Sequence, residues 1–252
     1  MTTAAIEFPV WDGPLPARDD VAAMIDHSLL RPELTRDAVL AGLQVAREYH
    51  VKSVCVRPAD VGLAIRELAD TDVLVGTVVG FPHGSSTTAS KMAETIELIA
   101  LGADEIDMVI NIGHLRGGDV QYVEKEIAAV VEAAQGRLVK VIFENSYLSR
   151  EEKIAGYLAA ERAGAAFVKT STGFASGGAT ADDIALMRAT VSPAVAVKAA
   201  GGVRSLDALL ELNRLGATRF GATATAAIID ELERRLASAQ AHFGPSSTND
   251  SY

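Results

Sequence analysis

Eight apolar runs of strand length recur along this chain, separated by amphipathic stretches of helical length. The runs fall near 25–30, 53–57, 73–81, 105–111, 138–145, 166–172, 194–200 and 218–222. Such alternation predicts βαβ units and therefore a parallel sheet. Two architectures answer to it, an open doubly wound sheet and a closed (β/α)8 TIM barrel. The open nucleotide-binding sheet carries a GxGxxG turn after its first strand, which this sequence lacks. Near-equal units favour closure, so the expected fold class is α/β, a TIM barrel. Ala194 and Ala196 are predicted to face a narrow interior, with Val195 and Val197 against the helices.

Helix signals fill the intervals. Thr35 is a natural N-cap for a helix over Asp37 to Tyr49, and Ser149-Arg-Glu-Glu152 has capping-box spacing for one reaching Ala163. Val61, Ala64, Ile65 and Leu68 share one helical face; Met92, Thr95, Ile96 and Ile99 share another, in a helix opening near Ser85 or Ser86. Val123, Ile127, Val130 and Val131 mark a helix over Val120 to Ala134. Thr180 to Ala189, Ser205 to Leu215 and Ala226 to Ala239 complete the set, and a short helix over Ala17 to Ile25 precedes the first strand. The 252 residues are expected to form a single domain: an N-terminal extension (1–20), a barrel (about 21–240) and a flexible C-terminal tail (243–252).

A hydrophobic content of 49% suffices for one large core, and a net charge of −10 without a basic stripe argues against a general nucleic-acid binder. One cysteine, Cys55, excludes an intrachain disulfide framework and fits a reducing compartment. No apolar run reaches the roughly 18–20 residues of a transmembrane helix. Met1 to Asp20 lacks the basic and then hydrophobic segments of a signal peptide. A soluble cytoplasmic protein with no nucleic-acid or membrane partner is the expectation.

In a barrel, chemistry sits at the carboxyl ends of the strands. Gly164-Ala-Ala-Phe-Val-Lys-Thr-Ser-Thr-Gly173 delivers Lys169 mid-strand, and Ala194-Val-Ala-Val-Lys-Ala-Ala-Gly-Gly-Val-Arg204 repeats the pattern with Lys198. A lysine ammonium is rarely buried without a partner, and two inward lysines repel each other, so folding gains nothing obvious. A nucleophilic amine gains from the pair, because a second ammonium and partial desolvation can lower a lysine pKa by roughly three units. Lys169 is the expected Schiff-base former and Lys198 its electrostatic partner, although repulsion alone does not assign the two roles. The competing reading pairs each lysine with an inward carboxylate, Asp107 or Glu144.

Period-two alternation groups Glu105 with Asp107 on one face of the fourth strand, and Lys140, Ile142 and Glu144 on one face of the fifth. Asp107 is a candidate proton shuttle through water, or a core ion pair with Lys140 or Lys198; the two roles can coexist. Lys140 reads as the cation that keeps Asp107 ionised and aimed. Asp26, Ser28 and Asn111 are further polar residues at strand ends, His27 reads as packing, and Cys55 as a buried small apolar residue. No His, Cys or carboxylate spacing resembles a metal site, so neither metal nor cofactor is required.

Gly201-Gly202-Val203-Arg204 follows the seventh strand, and Phe220-Gly221-Ala222-Thr223 closes the eighth. Barrels often hold a phosphate there, on backbone amides that glycine leaves accessible and at a helix N-terminus. Arg204 would add charge.

These segments closely resemble those of deoxyribose-phosphate aldolases, metal-independent class I aldolases. Ile25-Asp-His-Ser-Leu-Leu-Arg-Pro32, Val54-Cys-Val56, Val79-Gly-Phe-Pro82, Glu105-Ile-Asp-Met-Val-Ile-Asn-Ile-Gly113 and Lys140-Val-Ile-Phe-Glu144 extend the resemblance over about 25 to 225. It implies reversible cleavage of 2-deoxy-D-ribose 5-phosphate to D-glyceraldehyde 3-phosphate and acetaldehyde, in deoxyribonucleotide catabolism. It implies that Lys169 forms the Schiff base, Lys198 tunes it and Asp107 takes part in proton transfer. Gly173, Gly201, Gly202, Val203, Arg204, Gly221, Thr223 and Ala224 would hold the phosphate, with Thr172 and Ser28 along the substrate path.

Some relatives carry a mobile C-terminal tyrosine that enters the site. Tyr252 is the corresponding candidate here, against the alternative of a disordered tail. Relatives are often dimers, which makes a homodimer one candidate assembly, although surface helices such as 149–163 show no decisive apolar patch. The chain also departs from the family pattern. Ala224 stands where a second hydroxyl residue is usual, which weakens the expected grip on phosphate. His83 replaces a usual leucine, and Glu144-Asn-Ser-Tyr147 differs from the commoner Glu-Thr. A transaldolase or other Schiff-base barrel, and a non-catalytic phosphosugar-binding barrel, are the rival readings.

Overall fold

A computed structural model describes residues 13–242. Eight parallel strands close into a barrel in chain order: β1 (Ile25–Leu29), β2 (Ser53–Val56), β3 (Leu74–Val79), β4 (Glu105–Val109), β5 (Leu138–Ile142), β6 (Phe167–Lys169), β7 (Ala196–Ala200) and β8 (Arg219–Ala222). The last strand returns to the first, with Asp26 opposite Gly221. Around them lie α1 (Arg18–Ala22), α2 (Arg36–Tyr49), α3 (Val61–Glu67), α4 (Thr88–Ala100), α5 (Ile112–Arg116), α6 (Val120–Ala133), α7 (Arg150–Arg162), α8 (Ala181–Thr190), α9 (Leu206–Arg214) and α10 (Thr225–His242). The expected TIM barrel is the fold observed. The N-terminal residues 1–12 and the tail 243–252, Tyr252 included, lie outside the described residues.

The main apolar core lies between sheet and helices. Val54, Val75, Ile106, Met108, Val141, Val168, Val197 and Phe220 point outward into it and are buried. Each such side chain contributes about 1.5–3 kcal/mol relative to exposure. The alternate positions face inward and include small and charged residues: Ser53 and Cys55, Gly76, Glu105 and Asp107, Lys140, Lys169, Lys198, Arg219. Val195 and Val197 join the outer core as expected. Ala194 does not reach the interior; it is exposed in the turn before β7, which begins at Ala196.

Four elements differ from expectation. The fifth and sixth strands stop early, at Ile142 and Lys169. Glu144 takes a left-handed conformation (φ 50°), which ends the extended run, and Thr172 Oγ1 accepts from Phe174 N (3.0 Å), which turns the chain. The fourth helix opens at Thr88 on Thr87, whose Oγ1 accepts from Ser90 N (3.2 Å), and not at Ser85 or Ser86. Its buried face is Lys91, Thr95 and Leu98, leaving Ile96 49% exposed. Lys91 turns inward because its ammonium donates to the carbonyls of Gly84 and Val109 and pairs with Glu126 of α6, each at 2.8 Å. Finally, α5 follows β4 directly, capped by Asn111, whose Oδ1 accepts from His114 N (3.3 Å). That gives Asn111 a structural task.

Candidate active site

A closed ion network fills the barrel beneath its C-terminal mouth. Asp107 on β4 is the hub. Its Oδ1 accepts from Lys140 Nζ (2.7 Å), and its Oδ2 accepts from both Lys169 Nζ (2.6 Å) and Lys198 Nζ (2.7 Å). Lys198 also donates to Asp26 Oδ2 on β1. The other Asp26 oxygen accepts from Ser53 Oγ (2.6 Å) and Arg219 Nε (2.7 Å). Arg219 reaches on to Glu105 (2.5 Å), and Glu105 accepts from Lys140 (2.7 Å), closing the ring. Phe167, on the same inward face, lies under the Arg219 guanidinium at 5.8 Å.

The two lysines therefore do not simply repel. Asp107 offsets both, which corrects the expectation that folding gains nothing from them, and Glu144 pairs with neither. The lysines differ in their partners: Lys198 touches two carboxylates and Lys169 one. Four cationic residues (Lys140, Lys169, Lys198, Arg219) meet three carboxylates (Asp26, Glu105, Asp107). The cluster is electroneutral only if one cation gives up its proton. An uncompensated buried charge costs several kcal/mol, and Lys169 is the least supported.

The pKa directions agree with that count. Burial pushes the Lys169 ammonium below the ordinary lysine value; Asp107 opposes this and Lys198 reinforces it. Burial would also lower Lys198, but Asp107 and Asp26 overcome it and hold its pKa above the usual range. Burial would raise Asp107, yet Lys140, Lys169 and Lys198 hold it well below the carboxylate range. One lysine is thus kept charged and its neighbour is biased towards the free amine. Burial pushes the Cys55 thiol up to about 11, so it remains the apolar side chain expected of it.

Above the network opens a cavity walled by the loops after β1, β6, β7 and β8. Lys169 and Lys198 form its floor, with Ser28, Thr172 and Gly173 on its sides. Gly201, Gly202, Val203, Arg204, Gly221 and Thr223 surround its far end. Gly202 has φ 86°, a conformation that a side chain disfavours. At Gly221 a Cβ would stand 3.1 Å from Ala200 Cβ, so glycine keeps this wall close to the Lys198 stem. Helix α9 starts beside Arg204, with Ser205 as its N-cap.

All the sequence-derived candidates among the described residues gather here except two. Asp107 lies below the cavity floor, buried (1% exposed) in contact with both lysines. Ala224 does not line the cavity; it packs against the apolar core beside α10. His27 is buried, as the packing reading requires, and its Nδ1 bonds Thr225 Oγ1 (2.8 Å) at the start of α10.

Sequence reasoning missed Arg219, gave Asp26 no role, and misjudged Glu144. Alternation from Lys140 suggested an inward Glu144 beside the lysines. Its carboxylate instead accepts from the backbone N–H (3.1 Å) and hydroxyl of Thr172, holding the loop that follows Lys169. Asp26 was visible as a polar strand residue; Arg219 had only its strand position as a signal. No group of three or more His, Cys, Asp or Glu among the described residues has metal-binding geometry. No described helix is long and apolar enough to cross a membrane.

A family model described as DeoC/LacD family aldolase matches residues 21–228. The chain is 52% identical over 211 residues to the deoxyribose-phosphate aldolase of Bacillus mycoides (strain KBAB4), covering 83% of this chain and 95% of that one. It is likewise 52% identical over 212 residues to deoxyribose-phosphate aldolase 2 of Staphylococcus aureus (strain MSSA476), covering 84% and 96%. The tetrameric deoxyribose phosphate aldolase of Aeropyrum pernix superposes with a TM-score of 0.80 at 26% identity, over 86% of this chain and 92% of that one.

Proposed function

The chain belongs to the DeoC/LacD aldolase family, and from that premise we infer that it is a deoxyribose-phosphate aldolase, a class I lyase. The reaction is the reversible cleavage of 2-deoxy-D-ribose 5-phosphate to D-glyceraldehyde 3-phosphate and acetaldehyde. The observation that carries the reading is the asymmetric pair on Asp107 Oδ2: one ammonium held charged, and one amine biased towards neutrality on the floor of an open cavity.

In the proposed mechanism the Lys169 amine adds to C1 of the open-chain sugar. The carbinolamine loses water to give an iminium. Electrons of the C2–C3 bond then move into C1–C2, with the iminium nitrogen as sink, while the C3 hydroxyl loses its proton and becomes the aldehyde of the first product. The remaining enamine takes a proton at C2, and hydrolysis frees acetaldehyde and the amine. Lys198, held charged, stabilises negative charge developing on oxygen near the floor. Asp107 Oδ2 touches both nitrogens and so provides a proton path between them. Gly173, the Gly201–Arg204 turn and the Gly221–Thr223 turn take the phosphate end, with Ser28 and Thr172 on the sugar between. A cytoplasmic homodimer acting in deoxyribonucleotide catabolism belongs to the same proposal; sedimentation analysis tests its assembly.

The test is borohydride reduction in the presence of acetaldehyde, with mass spectrometry of the peptide carrying Lys169. The expected result is a two-carbon adduct on Lys169, suppressed by deoxyribose 5-phosphate and absent from Lys169→Leu, which should also lose at least about four orders of magnitude in kcat/KM. An adduct on Lys198 alone would reverse the lysine roles. No adduct on folded protein would leave a phosphosugar-binding barrel.

A further inference from the structure

Arg31 stands on the rim of the cavity, in the loop after β1, across from the two glycine turns. Its backbone is firmly held. Arg57 Nη1 donates to the carbonyls of Arg31 (3.2 Å) and Pro32 (3.0 Å), and Arg57 is braced by Asp60 (2.6 Å). Its guanidinium, in contrast, is parked over the ring of Phe174 at 5.5 Å. Phe174 follows Gly173 directly, is anchored through its N–H to Thr172 Oγ1 (3.0 Å), and meets Phe81 edge-on at 5.2 Å. Among the described residues neither Arg31 nor Arg204 pairs with a carboxylate, so each brings an unspent charge to the same cavity.

A phosphate monoester brings a charge of about −1.5 to −2 at neutral pH. The floor network cannot offset it. Its cations are committed to Asp26, Glu105 and Asp107, and it is already balanced with Lys169 neutral. Arg204 supplies one positive charge at the glycine turns; a second must come from the rim. We propose that Arg31 is that second phosphate-binding cation and a determinant of preference for phosphorylated substrates. Phe174 is its resting shelf. A cation over an exposed ring is held weakly, whereas a guanidinium on phosphate makes charge-assisted, bidentate bonds, so the exchange runs towards the ligand. The swing costs no backbone movement, because the Arg57 brace already holds Arg31 at the mouth.

The inference rests on the aldolase reading above, and its test separates the two. Initial rates on deoxyribose 5-phosphate and on deoxyribose, together with inhibition by inorganic phosphate, are measured for the unaltered protein, Arg31→Gln and Arg31→Lys. For Arg31→Gln the expected result is a rise of about tenfold in KM for deoxyribose 5-phosphate and in the inhibition constant of inorganic phosphate. Its kcat should change far less, and the selectivity ratio between the two sugars should fall with KM. Arg31→Lys should recover part of each effect. An unmoved KM and inhibition constant, or an equal loss of kcat/KM on both sugars, would overturn the assignment. If the unaltered protein cleaves neither sugar, the aldolase reading fails instead. Calorimetric titration of inorganic phosphate into the unaltered protein and Arg31→Gln then still decides the role of Arg31: equal affinities refute it, and weaker binding by the variant upholds it.

Discussion

His27 neighbours Asp26 in sequence but turns to the opposite side of β1, where it bonds Thr225. Burial pushes its pKa down to about 4. The folded protein keeps the imidazole neutral, while the unfolded chain takes up a proton below about pH 6.5. This contribution to stability is therefore intact above that value and is lost as pH falls from about 6.5 through 4, by up to ~3 kcal/mol. Asp26 and Asp107, with folded pKa values below the ordinary range, lose their contributions only at more acid pH. Urea unfolding at pH 7 and pH 4.5 should show wild-type stability falling by about 2–3 kcal/mol more than that of His27→Gln; equal slopes would refute the burial argument. Lys169, Lys198 and Asp107 were legible at this scale, because strand alternation fixes the side on which each must emerge. Asp26 was legible as polar but not as a partner of Arg219, 193 positions away, since nothing local links two residues that meet only when the barrel closes.

Lys91 and Glu126 join α4 to α6 in a pair with both side chains fully buried. The same contacts fasten the loops after β3 and β4, through the Gly84 and Val109 carbonyls and the Asn111 N–H, which donates to Glu126 (2.9 Å). Lys91→Met would strand the Glu126 carboxylate in the core and should cost ~3–5 kcal/mol. The double variant Lys91→Met/Glu126→Leu removes both charges and should be less destabilised than either single variant; denaturant midpoints around that cycle measure the coupling. Periodicity placed the buried stripe of α4 only in part, for the same physical reason. Thr95 is buried and Ile99 packs against the core as expected. Ile96, however, is exposed and Lys91 takes an inward place, because the two carbonyls and the carboxylate supply what its ammonium would otherwise obtain from solvent. Where caps decided the outcome the reading held: Thr35 and Ser149 open α2 and α7 as expected, the latter with both halves of its capping box formed.

Across the whole molecule, the eightfold alternation was enough to give the barrel, because each unit signals itself locally. The charge ring was not, because it is a property of all the strands together. That ring predicts opposite pH responses from distant substitutions. The groups bearing on Lys169 are Asp107, Lys198, Lys140, Asp26, Glu105, Arg219 and the neutral Cys55 thiol. Activity requires the free amine, so the acid limb of kcat/KM follows the Lys169 pKa. Arg219→Met removes a cation and should move that limb upward by about one pH unit, whereas Asp26→Asn removes an anion and should move it downward. Shifts of the same sign in both would dismiss the count. The ring also has an order along the chain: its carboxylates, Asp26, Glu105 and Asp107, all precede its cations, Lys140, Lys169, Lys198 and Arg219. The halves of the barrel on either side of the β4–β5 connection are thus an acid and its matching base. The first half holds no ring cation of its own to neutralise Asp26, Glu105 and Asp107; every such cation comes from the second half. Two separately expressed halves should then seek each other and not themselves.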